Sequence, residues 1–216
     1  MTRPWRLLLL LHVAFGVAAG VAYLLDPPAR GWLLLLAAAG YVTGLLLVAR
    51  LSGRREWVAW WTLLAPLSVL QVLPDWALVE IAGTLLFPDL GAPRVGDAVP
   101  LYMAGLWVPP LFLVLLLARG SALAGAVLAV LVFGVAELLA PALGLWEPRA
   151  ARQVGSTALY VLPAEAVLGA AVVVAARLAR TTRDRLLAAP AVALLYTGAL
   201  FVSLLLLDRG ALVLRG

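Results

Sequence analysis

The stretch YVLPAEAVLGAAVVVAA, residues Tyr160–Ala176, is almost wholly apolar and contains one acid, Glu165. The whole chain has this character, because 65% of its 216 residues are hydrophobic and only 12% are charged. Soluble domains contain about 25% charged residues. A carboxylate at the centre of a membrane-spanning helix costs at least about 2.5–3.5 kcal/mol, so an acid in such a run is a candidate functional residue. The sequence therefore predicts an all-α membrane protein and singles out Glu165.

Apolar runs long enough to cross a bilayer, which takes about 20 residues, recur along the chain. The third run is too long for one perpendicular helix and contains Pro66 and Pro74, so we expect it to be kinked or broken. The connections are short, which predicts one polytopic domain over residues 1–216, a single bundle of seven transmembrane helices. The seven runs are 6–25, 31–51, 57–87, 100–118, 121–145, 156–178 and 186–207.

The basic residues predict the orientation of this bundle. They are all arginine, and most lie at the ends of apolar runs, so membrane topology explains the net charge of +5 without nucleic acid. Lysine and asparagine are absent, a bias typical of a GC-rich bacterial genome. The uneven division of the arginines between the two sides of the membrane predicts a bacterial inner-membrane protein with its N-terminus in the cytoplasm and its C-terminus outside. The cytoplasmic set is Arg3, Arg6, Arg50, Arg54, Arg55, Arg119, Arg177, Arg180, Arg183 and Arg185, and the outer set is Arg30, Arg94, Arg149, Arg152, Arg209 and Arg215.

A weak internal repeat is visible in the order of acids, glycines and prolines. In each half, an acid in a helix is followed by a loop marked by glycine and proline and then by another helix, as in transporters built from repeats. The matching series are Asp75, Gly83, Pro88, Gly96, Pro100 and Glu137, Gly144, Pro148, Gly155, Pro163.

Four acids fall inside apolar runs: Asp75, Glu80, Glu137 and Glu165. Each has a structural alternative, a hydrogen bond to a neighbouring helix or to an inward-reaching arginine. At a rise of 1.5 Å per residue, Asp75, Glu137 and Glu165 lie at similar depth, between the bilayer centre and the outer face. We therefore expect these three acids to be the catalytic groups of one cavity, with Glu80 as a neighbour.

Other polar and aromatic residues are expected to line the same cavity. Gln71 precedes Asp75 by one helical turn, and the aromatic candidates crowd the outer half of the membrane. Their alternative role is the aromatic belt at the membrane surface. In a cavity, their faces would stabilise a cation. The aromatic candidates are Trp76, Tyr102, Trp107, Trp146 and Tyr160.

This combination favours acid catalysis without a cofactor or metal. The chain has no cysteine and one histidine, His12, so a thiolate site or a multi-histidine site within one copy is excluded. Carboxyl groups clustered in an apolar pocket do not all stay ionised, because desolvation and mutual repulsion favour the neutral form of at least one. A neutral carboxylic acid held against an alkene or epoxide can donate its proton, and a remaining carboxylate can accept one.

The segment AELLAPALGLWEPRAARQVGSTALYVLPAEAVLG, residues 136–169, resembles the small integral-membrane lycopene cyclases of bacteria and fungi. In that family an acid-bearing helix leads into a Gly-x-Trp turn, a glycine and a Pro-x-Glu-Glu segment. The counterparts here are Glu137, the turn 144–146, Gly155, and Pro163 with Glu165, while Ala166 stands where the family usually has a second glutamate. Residues 73–107 resemble the other repeat of such cyclases more faintly. The resemblance implies cyclisation or isomerisation of a polyprenyl or carotenoid-like hydrocarbon.

Other functions remain open at this point. A retinal Schiff base needs a lysine and is excluded, and no acid pair at helical spacing is available to hold magnesium around a diphosphate. A small proton-coupled transporter or lipid-binding protein would use the same buried acids as a relay. A structural subunit would pair them with a partner helix. The expected partners are a hydrophobic isoprenoid or lipid substrate and membrane lipids, with homo-oligomers allowed.

Overall fold

The computed structural model of the protein describes residues 2–208, and most of them are helical. The helices are α1 (Arg3–Tyr23), α2 (Ala29–Leu51), α3 (Arg55–Leu70), α4 (Val72–Ala77), a π-helix (Leu78–Ala82), α5 (Met103–Leu106), α6 (Val108–Ala118), α7 (Ala122–Leu139), α8 (Val161–Leu178) and α9 (Thr182–Leu207). The strands are β1 (Leu85–Leu86), β2 (Arg94–Val95), β3 (Val99–Pro100), β4 (Glu147–Pro148), β5 (Gln153–Val154) and β6 (Thr157–Ala158).

Within residues 2–208, six helical segments are long and apolar enough to cross a membrane, and Met103–Ala118 is a shorter apolar seventh. Many of their leucine and valine side chains point outward, as on α1, where Leu9, Leu10 and Val17 are more than half exposed. Water would penalise such a surface, whereas lipid tails do not. The predicted all-α, multi-pass membrane protein is therefore confirmed. The six long segments are α1, α2, Arg55–Ala82, α7, α8 and α9.

The long third segment is broken at Gln71, between α3 and α4. Proline has no N–H group, so Pro74 cannot donate the helical hydrogen bond to the carbonyl of Leu70, where α3 ends. Pro66 stays inside α3. The segment ends at Ala82 and does not reach the predicted residue 87, because Gly83 adopts a left-handed conformation (φ 65°) that closes the helix.

Three other boundaries also differ from the apolar runs. The fourth segment begins at Met103 and is interrupted at Trp107, because neither Pro109 nor Pro110 can donate a helical hydrogen bond. Helix α7 ends at Leu139 although its apolar run continues to 145, since Pro141 stops the helical hydrogen bonding. Helix α8 begins at Val161, five residues later than expected, after the β5–β6 hairpin.

The two halves repeat the same order of elements. In each, a helix carrying an acid is followed by a left-handed glycine, a two-residue strand, a hairpin and a helix preceded by tyrosine. The glycines occupy corresponding positions in the two halves, as predicted. The prolines do not, because Pro100 lies in strand β3, whereas its predicted counterpart Pro163 lies inside helix α8, beyond the equivalent strand β6. The repeats are β1–β2–β3 with Tyr102 before α5, and β4–β5–β6 with Tyr160 before α8.

The loops that follow the acid-bearing helices lie on one side of the bundle. Strand β1 pairs antiparallel with β4, joining the two repeats. Arg94 donates hydrogen bonds to four loop carbonyls, those of Phe87, Pro88, Asp97 and Ala98, and so holds the first loop closed. Arg30 donates to the carbonyl of Leu143 in the second loop. The predicted outer arginines Arg209 and Arg215 lie outside the described residues.

Candidate functional site

Beneath these loops the two repeats enclose a cavity of about 90 Å³. Its walls come from α4, the π-helix, α5, α6, α7, α8 and α9 together with both loops. The walls are mostly apolar, and three carboxyl groups face the cavity. The lining residues are Asp75, Leu78, Leu85, Phe87, Met103, Leu106, Trp107, Pro110, Phe133, Ala136, Glu137, Trp146, Pro148, Ala158, Tyr160, Val161, Glu165 and Tyr196.

Each acid is positioned by a different helix. Asp75 lies on the short helix α4, just past the break at Gln71. Glu137 lies near the C-terminal end of α7, and Glu165 lies in the second turn of α8. Asp75 and Glu165 are 4% and 2% exposed, so both are withdrawn from solvent and lipid.

The three carboxyl groups differ in their hydrogen-bond partners. The indole Nε1 of Trp146 donates to Oε1 of Glu137 at 3.1 Å. Among residues 2–208, one oxygen of Asp75 and one of Glu165 have no hydrogen-bond partner, and neither has the indole Nε1 of Trp107, which faces Asp75. Burying a carboxylate ion that lacks hydrogen-bond donors costs several kcal/mol of folding free energy, whereas burying a neutral carboxylic acid costs much less. The arrangement favours neutral Asp75 and Glu165 and allows an ionised Glu137.

Aromatic rings form the wall between these acids. The Trp107 ring lies 5.1 Å from Phe133 and 5.6 Å from Tyr196, measured between ring centroids. Faces of this kind attract a positive charge, by about 2 kcal/mol or more where water is excluded. An acid that donates a proton would therefore have a cation-stabilising surface beside it.

Tyr160 anchors the second loop to the first repeat. Its hydroxyl group lies 3.0 Å from the Thr84 hydroxyl, and both side chains are buried. Burial raises the pKa of the Tyr160 hydroxyl above its ordinary value, so this group stays protonated at neutral pH. Tyr160 is thus a fixed hydrogen-bonding and aromatic element of the cavity wall.

The structure brings together six of the ten candidate site residues, namely Asp75, Glu137, Glu165, Trp107, Trp146 and Tyr160. The other four lie outside the cavity lining. Gln71 is fully buried, and neither polar atom of its amide has a partner within the described residues 2–208. Tyr102 is buried in a second apolar cluster with Val72 and Phe87. Trp76 is 37% exposed, and Glu80 is exposed on the π-helix.

Three aromatic wall residues, Phe87, Phe133 and Tyr196, are not among the candidates that the sequence indicates. Phe133 precedes Glu137 by four residues, a spacing that places both on one helix face and was available as a signal. Tyr196 had a weaker signal, a tyrosine within the long apolar part of α9, because that helix contributes no acid to the cavity lining.

Comparison with protein families gives a match over more than half of the chain. Residues 72–207 match the family described as "Domain of unknown function (DUF6989)", and because this is more than half of the chain, the chain belongs to that family. The matched region begins in α4 and contains all three cavity acids together with both repeats. No curated protein and no solved structure matches the chain.

Proposed function

We propose that this member of the DUF6989 family is a membrane-embedded acid catalyst that cyclises or isomerises a polyprenyl or carotenoid-like hydrocarbon without a cofactor. The observation that carries the proposal is the cavity itself. It combines two buried carboxyl groups that have unpaired oxygens, a third held by an indole N–H, and aromatic walls. The resemblance of residues 136–169 to small membrane lycopene cyclases supports the same chemistry.

The reaction needs only proton transfer. Glu165 or Asp75 donates its proton to a terminal carbon–carbon double bond, leaving a carbocation on the adjacent carbon. The faces of Trp107 and Tyr196 stabilise this cation. A second double bond of the chain attacks it and closes the ring, and Glu137, positioned by the Trp146 N–H, removes a proton to restore an alkene. No oxidant or reductant is consumed, and the proton count balances.

The size of the cavity limits what it encloses. At about 90 Å³ it is smaller than the roughly 150 Å³ apolar cavity that admits benzene. Only the reacting end of a long hydrocarbon enters, and the aromatic walls must move apart to admit it. The rest of the chain remains among the lipid tails.

In this proposal the protein lies in the bacterial inner membrane, with its N-terminus in the cytoplasm and its C-terminus outside. The ten-to-six division of arginines supports this orientation. Reporter fusions at Arg54 and Arg183 should report the cytoplasm, and a fusion at Arg149 the outside. A cytoplasmic signal at Arg149 would overturn the orientation.

Substitution of the candidate acid tests the function. Glu165→Gln keeps the shape and hydrogen bonding of the side chain but removes its acidic proton, so product formation should fall by about 10²–10⁴-fold while the protein still folds. The assay is chromatography of lipid extracts from cells that express the variant together with a polyprenyl pathway. Glu147→Gln, which changes an exposed acid of β4, is the matched control and should keep full activity.

Three results would count against the proposal. Unchanged product formation by Glu165→Gln would show that Glu165 is not the proton donor. If Gln preserves activity and a bulky apolar residue abolishes folding, the role of Glu165 is structural. Loss of pH-dependent uptake in acid variants reconstituted into vesicles, without any product in the wild type, would instead identify a proton-coupled transporter.

A further inference from the structure

A second concave site lies at the opposite end of the bundle from the cavity. It is a groove of about 480 Å³ between α1, α3 and α6, on the side where the chain carries ten arginines. We call it the arginine groove. Its lining residues are Trp5, Arg54, Glu56, Trp57, Trp60, Leu115, Leu116, Leu117, Arg119 and Gly120.

Arg54 is held in the groove by cation–π contacts. Its guanidinium carbon lies 5.5 Å from the ring centroid of Trp57 and 6.0 Å from that of Trp5. Among residues 2–208, no carboxylate or carbonyl group accepts a hydrogen bond from this guanidinium. Cation–π attraction uses the charge of the group and does not consume its N–H donors. These donors are thus available to an acceptor that residues 2–208 do not supply.

A second arginine lies on the same groove. Arg119 ends α6 in a left-handed conformation with φ 48°, which is uncommon for a residue other than glycine, and its side chain is exposed. The turn is held by Arg177, whose Nη1 donates to the carbonyl of Gly120 at 3.0 Å. Helix α3 also begins here, with no side-chain cap among residues 2–208, so its first-turn N–H groups add positive potential, which the one acid of that turn, Glu56, partly offsets.

The groove continues into an apolar surface. Leu117 is 55% exposed, and Leu116 is partly exposed beside it. Indole rings at such a position are typical of the boundary between headgroups and lipid tails. The side as a whole is strongly basic, because its ten arginines are offset by only two acids, Glu56 and Asp184.

We infer that the arginine groove binds an anionic phospholipid, with the phosphodiester between Arg54 and Arg119 and one acyl chain along Leu115–Leu117. Guanidinium groups bind phosphate oxygens through paired N–H donors, and a basic pocket at the ends of membrane helices suits an anionic headgroup. The apolar continuation selects a lipid over a free phosphate. This inference does not depend on the proposed catalytic function, because the groove and the cavity share no residue.

The test is a lipid titration of the purified full-length protein in detergent micelles, followed by the thermal unfolding midpoint. Phosphatidylglycerol should raise the midpoint, since a ligand that binds only the folded state stabilises it, whereas phosphatidylcholine and inorganic phosphate should not. The double variant R54Q/R119Q should weaken the apparent phosphatidylglycerol affinity by about tenfold or more. The single variant Arg119→Gln leaves the contacts of Arg54 with the two indole rings intact. Its phosphatidylglycerol affinity should therefore fall by less than that of the double variant.

The matched control is R180Q/R183Q, which removes the same charge from exposed positions on the same side, outside the groove. It should keep the phosphatidylglycerol affinity within about threefold. The inference is overturned if the groove variants bind phosphatidylglycerol like the wild type, or if the control loses as much affinity as the double variant. Equal stabilisation by phosphatidylcholine or by inorganic phosphate would also overturn it.

Discussion

Helices α7 and α8, which carry Glu137 and Glu165, approach each other most closely at two glycines. A Cβ atom on Gly169 would lie 2.2 Å from the carbonyl oxygen of Gly125 and 2.4 Å from the Cβ of Ala129. Ordinary van der Waals contact begins at 3.4 Å. The obstacle is backbone, which cannot rotate away as a side chain can, so Gly169→Ala forces the two helices apart by about 1 Å.

The cost of this displacement follows from the packing. Overpacking of a close-packed contact costs about 1–3 kcal/mol in the free energy of unfolding. Alanine also has a higher helix propensity than glycine, by about 1 kcal/mol. The matched control Gly198→Ala isolates this gain, because nothing lies within 4 Å of its new Cβ. Gly169→Ala should therefore be less stable than Gly198→Ala by about 1–3 kcal/mol.

Equilibrium unfolding of the purified variants in detergent micelles, followed by circular dichroism, measures this difference. If Gly169→Ala is as stable as Gly198→Ala, the helices are not in backbone contact at Gly125, and the reasoning fails. Product formation in the lipid-extract assay gives a second measurement. Under the proposed catalytic function, separation of α7 and α8 displaces Glu137 from Glu165, so product formation should fall even in the fraction that folds.

Two further substitutions probe the polar groups at and near the cavity. Trp146→Phe removes the only indole donor of Glu137 within residues 2–208. Because a hydrogen bond to a charged group contributes about 1.5–3 kcal/mol, the free energy of unfolding should fall by that amount. An unchanged free energy of unfolding would indicate another donor. Gln71→Leu replaces a fully buried amide whose two polar atoms have no partner among residues 2–208. The free energy of unfolding, measured by chemical denaturation, should therefore rise by about 1–3 kcal/mol. A fall in this free energy would reveal a hydrogen-bond partner of the amide.

The repeat was the feature for which local sequence carried the most information. Glycines that must adopt a left-handed conformation are recognisable in both halves, and Gly83, Gly96, Gly144 and Gly155 all have positive φ. The strands between them are two residues long, too short to leave a period-two pattern. Their pairing, β1 with β4, joins segments far apart in the chain, and no local pattern encodes it.

The candidate site divides in the same way. Depth follows from counting residues along a helix, and Asp75, Glu137 and Glu165 do meet in one cavity. Gln71 precedes Asp75 by four residues, and the Asp75 N–H group does donate to the Gln71 carbonyl, so the helical spacing holds here. The Gln71 side chain is nevertheless fully buried outside the cavity lining, because the face of a helix that meets a cavity depends on how the helix packs. Tyr102 precedes α5 and Trp107 follows it, at the break before α6, and only Trp107 reaches the cavity.

By itself, the sequence determined the all-helical membrane class, the number of apolar segments and the three acids. Each of these depends on the free energy of transferring residues from water into the membrane. This free energy is summed along the chain and does not depend on which segments are in contact. Only the tertiary structure decided which aromatic rings face the acids and that Glu137 has an indole donor, while one oxygen of Glu165 has no partner among residues 2–208. The reason is that these properties belong to contacts between segments distant in the chain, and packing and hydrogen-bond satisfaction select those contacts in three dimensions.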